Sequence, residues 1–83
     1  MTRNESSALR FVQNVLTEAR PALSAHVSLV RPYIHVVLPD GAVVLYDIER
    51  ILFWREKERI GLAVPGQTRD LVLEQLNRRS STV

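Results

Sequence analysis

Pro39-Asp40-Gly41 constrains this chain more than any other feature, because two apolar runs rich in β-branched residues, 33–38 and 42–46, flank it directly. Proline presets φ, aspartate bonds nearby backbone and glycine accepts the positive φ of a tight turn. The stretch therefore predicts an antiparallel hairpin. Ile34, Val36 and Leu38 fall on one face of its first strand and Tyr33, His35 and Val37 on the other. Apolar residues on both faces predict that at least one strand is covered on both sides.

Around the hairpin, Ala8, Leu9, Val12, Val15, Leu16 and Ala19 recur at helical spacing, with Arg10, Gln13, Thr17 and Glu18 opposite them. A first helix over about 5–20 follows, with Asn4 as its N-cap and Pro21 beyond its end. Alternation over 25–30 predicts a strand that stops at Arg31-Pro32. A last helix over about 68–79 starts near Thr68 and Asp70. Val72, Leu73 and Leu76 form its apolar stripe, and Arg78 and Arg79 lie where the helix dipole favours cations. Residues 80–83 read as a frayed tail.

Two readings compete over 47–64. In one, Asp47 caps a helix that Gly61 closes in the left-handed conformation. In the other, 50–55 and 59–64 are paired strands, because Ile60, Leu62 and Val64 alternate with Gly61 and Ala63. The alternation favours the strand pair. The expected fold is a single α+β domain over 1–83, with two helices and an antiparallel sheet of three to five strands. Helix, three strands, helix is an order that resembles double-stranded-RNA-binding domains; their basic loop and lysine-rich helix start have no counterpart here, so the assignment is declined.

Composition narrows the classes of function. A chain of 83 residues buries only about 60% of the surface its unfolded form exposes. With no cysteine it has no disulfide or thiolate metal site to compensate, and pairing with a second copy is one remedy. A homodimer and a reducing, cytoplasmic location are therefore expected. The start of the chain has no apolar signal core, and no apolar run reaches the roughly 18 residues of a membrane span. The pI of about 9.7 reflects a net charge of only +2. Ten of the eleven basic residues are arginine, a compositional pointer to a bacterial or phage source.

Nothing in the sequence composes a catalytic constellation, and neither enzymatic activity nor a cofactor is expected. His26 and His35 lack a third ligand for a metal. Asp40 and Asp47 serve turns rather than acid–base chemistry. Pro65-Gly66-Gln67-Thr68 lacks the lysine and further glycines of a phosphate loop. Arg50, Arg55 and Arg59 interleave with Glu49, Glu56 and Glu58, a pattern typical of a solvated face.

Phe53 and Trp54 stand out because adjacent bulky rings point in different directions and one core readily absorbs only one. Tryptophan and arginine are enriched at binding hot spots, and Arg55 follows directly. Leu71 lies off the stripe of the last helix and widens its apolar arc. The expected partner surface comprises Phe53, Trp54, Arg55, Arg59, Leu71 and Arg78. The function expected from it is a non-enzymatic regulator or inhibitor that occludes a larger protein. The alternative is a nucleic-acid-binding regulator using the arginines of 50–59 and 69–79.

Overall fold

The computed structural model describes residues 1–80, and the expected tail beyond Ser80 lies outside the described residues. Helix α1 spans Arg3–Ala19, strands β1, β2 and β3 span His26–Val30, Tyr33–Val37 and Val43–Asp47, and helices α2 and α3 span Ile48–Arg59 and Gln67–Ser80. The strands form an antiparallel meander in the order β1-β2-β3. Leu38 N–H donates to the Ala42 carbonyl at 2.8 Å and Gly41 has φ 90°, a conformation that a side chain would strain. Ala42 N–H donates to Asp40 Oδ1 at 2.9 Å. The Arg31–Pro32 peptide bond between β1 and β2 is cis.

Register sorts the side chains onto two faces. Val27 lies opposite Val36, Leu29 opposite Ile34, Val36 opposite Val44 and Ile34 opposite Tyr46. These residues face the helices, and Ile34, Val36, Val44 and Tyr46 join Ala8, Val12, Ile51, Val72 and Leu76 in the core. Tyr46 is buried, its hydroxyl donating to the Val72 carbonyl at 2.9 Å, and burial pushes its phenol well above the usual range. All three helices lie on this one side. The expected cover on both faces of a strand is therefore absent from the described residues: Val30, Tyr33 and Leu45 of the other face remain exposed.

The first helix begins two residues earlier than expected, because Thr2 rather than Asn4 is its N-cap. Thr2 Oγ1 accepts from Glu5 N–H at 3.1 Å, while Glu5 Oε1 accepts from Thr2 N–H at 2.8 Å. This reciprocal pair is the signature of Thr-x-x-Glu, which satisfies two donors where Asn4 would satisfy one. Glu5 also accepts from Arg31 at 2.5 Å, tying α1 to the β1–β2 turn. That guanidinium, with Thr2, holds the Glu5 carboxyl down to about 2. A lowered carboxyl contributes stability above its ordinary value of 4.5 that is lost as pH falls toward 2. Acid titration of urea midpoints is expected to show a loss over this window that is smaller in Glu5→Gln; parallel curves for the two proteins would refute the linkage.

The expected strands over 50–55 and 59–64 are a correction. Residues 48–59 form α2, and the turn that follows occupies 60–66. Asp47 Oδ1 accepts from Glu49 N–H at 2.9 Å and Arg50 N–H at 3.3 Å, closing the start of α2. At its end Gly61, with φ 79°, lets Gly61 N–H reach the Glu58 carbonyl and Leu62 N–H the Lys57 carbonyl. Both ends are thus satisfied locally. The alternation over 60–64 reflects exposed loop residues, Ile60, Leu62 and Val64 among them, instead of two faces of a sheet.

Candidate functional site

The helical form of 48–59 redistributes the residues expected at a partner surface. Ile48, Ile51, Leu52 and Arg55 recur at helical spacing; Ile48 and Ile51 are buried and Leu52 packs against the core. Phe53 projects away from it and is 51% exposed. Its ring meets Trp54 edge-on, with centroids 5.2 Å apart, and the Lys57 ammonium lies 5.2 Å from the Phe53 centroid. Ile60 stands two turns after Phe53 on the same side, so the apolar stripe continues toward the exposed Leu62.

Trp54 occupies the seam between α2 and α3. With Arg50, Gln67, Asp70, Leu71 and Glu74 it lines a groove of about 190 Å³. The structure therefore brings Trp54 and Leu71 together, with Phe53 beside them. Leu71 is half-buried there instead of widening an exposed arc.

The arginines are disposed differently. Arg55 turns inward to α1, where Nη1 donates to Ser7 Oγ at 2.8 Å and the guanidinium lies 4.7 Å from the centre of the Phe11 ring. Arg59 is paired with Glu56 one turn back, and this guanidinium holds the Glu56 carboxyl below the usual carboxylate range. Arg78 pairs with Glu74 at 2.5 Å. Such exposed pairs contribute little stability, but they neutralise positive charge on that side of the molecule. The Arg79 side chain lies outside the described residues.

Glu58 was not singled out by its sequence, yet it organises this edge. Its Oε1 accepts from Gly66 N–H at 2.7 Å, and its Oε2 accepts from Thr68 N–H at 2.9 Å and from the Thr68 hydroxyl. The carboxylate thereby caps α3 from α2 and is held below the usual range, chiefly by the Thr68 hydroxyl. Thr68 is fully buried. A carboxylate near the end of one helix with a buried threonine ten residues later has no local spacing signature, so only the tertiary arrangement reveals the pair.

A second concavity also escaped the sequence reading. Arg3, Ser6, Ser7, Arg10, Phe11 and Asn14 of α1 recur on one face, and with Arg55 they line an open groove of about 520 Å³. Arg3 and Arg10 form no ion pair among the described residues. The helical recurrence of these polar positions was visible, but Arg10 was read only as the solvated side of an amphipathic helix.

Among the described residues no three His, Asp or Glu side chains cluster as metal ligands, and no helix is long and apolar enough to cross a membrane. Comparison with protein-family models, with curated proteins and with solved structures finds no match for the chain.

Proposed function

We propose that this chain is a non-enzymatic protein-interaction module, a small bacterial or phage regulator or inhibitor that works in the cytoplasm by occluding a larger partner. The observation that carries the reading is the aromatic pair on α2: Phe53 stands half in solvent against Trp54, beside the groove that Leu71 shares. A large ring already packed against its neighbour offers much apolar area for few rotatable bonds when a partner covers it, and tryptophan in particular is enriched at binding hot spots. Phe53, Trp54 and Leu71 are the anchors; Arg59 and Arg78 belong to the charged rim.

Hot-spot truncation typically costs about 2 kcal/mol or more, so Phe53→Ala or Trp54→Ala should weaken a true complex by about 30-fold. Capture of partners from a lysate of the source organism, compared between the wild type and each variant, reads this directly. Circular dichroism must show that both variants fold. Partners retained equally by folded variants would sink the reading.

A homodimer is a second reading, favoured by the uncovered outer face of the sheet, where Val30, Tyr33 and Leu45 are exposed. A second copy packed face to face would bury them. Light scattering decides: association at micromolar concentration is expected, and a monomer mass up to about 100 µM would exclude it. The nucleic-acid alternative finds less support, because Arg59 and Arg78 have carboxylate partners.

A further inference from the structure

We propose that the groove on α1 is a docking site for an acidic segment of a protein partner, which Arg3 and Arg10 grip through their guanidinium groups beside the fixed cation of Arg55. The inference rests on the reading above for its class of ligand, a polypeptide, and adds the partner's chemistry.

Among the described residues three guanidiniums line this groove and no carboxylate does. Arg31, Arg59 and Arg78 each face a glutamate, whereas Arg3 and Arg10 form no ion pair among the described residues. Arg55 is partly offset, since its charge helps to lower the Glu58 carboxyl. It is also immobilised: Ser7 and Phe11 hold it, and one hydrogen bond leaves most of its five donors for a ligand. Unopposed positive charge thus collects along one side of α1, with the Ser6 hydroxyl and Asn14 amide as further polar lining.

Charge and spacing both suit a peptide. The backbones of Arg3 and Arg10 are two helical turns apart, about 10 Å along α1. An extended peptide advances about 3.3 Å per residue, so carboxylates three or four positions apart reach both arginines, and each fork can hold a carboxylate in a bidentate fashion. A nucleic acid suits the site less well. The same face of α1 continues from Asn14 to Glu18, an exposed acid that would repel a longer polyanion. Three cations also allow few phosphate contacts, and the electrostatic affinity for a nucleic acid grows with their number.

Amide chemical-shift titration of the full chain tests this. The probes are a twelve-residue Asp/Glu-rich peptide, its Asn/Gln counterpart, a ten-nucleotide oligothymidylate and inorganic phosphate. The acidic peptide is expected to shift amides of residues 3–14, to bind about tenfold more weakly to Arg3→Gln/Arg10→Gln, and to weaken from about 50 to 200 mM salt. The amide-substituted peptide should leave these amides unmoved, and phosphate should bind more weakly than the acidic peptide. No shifts at about 1 mM acidic peptide, equal binding by the double variant, or tighter binding of the oligothymidylate would each overturn the proposal. A partner captured through Phe53 and Trp54 but held equally by Arg3→Gln/Arg10→Gln would also overturn it, while leaving the α2 surface standing.

Discussion

Ile51→Ala is expected to destabilise the domain by about 2–5 kcal/mol, while Phe53→Ala costs no more than about 1.5 kcal/mol, as urea melts would show. Ile51 is 1% exposed and packs in the core between the helices and the sheet; Phe53 is half exposed and loses chiefly its contact with Trp54. The comparison also discriminates the conformation of the segment. Residues two apart share a face in a strand, whereas on a helix they lie about 200° apart. Comparable losses at the two positions would refute α2 and its orientation.

Glu58→Ala should cost about 2–4 kcal/mol, because it removes the cap of α3, worth about 0.5–2, and orphans a buried hydroxyl at about 1–3. Three donors lose their acceptor at once: two backbone amides and the Thr68 side chain. Glu58→Gln, which keeps one carbonyl oxygen, is expected to lose less. The wild-type carboxyl is held below its ordinary range, so this stabilisation is complete above that range and fades as acid titrates the folded group. The glutamine variant should lack that acid-dependent component. Hydrogen exchange supplies a local readout, with the Gly66 and Thr68 amides losing protection first. Unchanged stability and protection in Glu58→Ala would show that the carboxylate does not hold α3.

The readability of this sequence divided along the range of the interactions involved. The hairpin was legible because proline, aspartate and glycine act within the turn itself, and α1 because its buried residues repeat across several turns. The segment 47–64 was misread where a short alternation outweighed two capping signals, Asp47 and Gly61, that were correctly identified. A period-2 pattern in a loop specifies nothing until a second strand pairs with it; a cap satisfies its donors alone. Arg55 illustrates the limit for the site. Its neighbours in sequence proposed an exposed anchor, but Ser7 and Phe11, far away along the chain, draw it onto α1. Phe53 and Trp54 required only the knowledge that consecutive residues diverge, which holds in a helix and a strand alike.

A meander of three strands has two open edges, and among the described residues neither β1 nor β3 pairs with a further strand. Open edges invite pairing with other chains, and an apolar outer face makes such encounters stickier. Each edge strand is five residues long, an ordinary strand length, so each edge is a usable template. What bounds it is the chain itself: β1 stops before Arg31-Pro32 and β3 runs directly into α2. Changes that prolong β1 past Arg31-Pro32, or β3 into the start of α2, would lengthen that template without adding anything to cover it. The strand ends, more than the core, are therefore where colloidal behaviour of this protein is set.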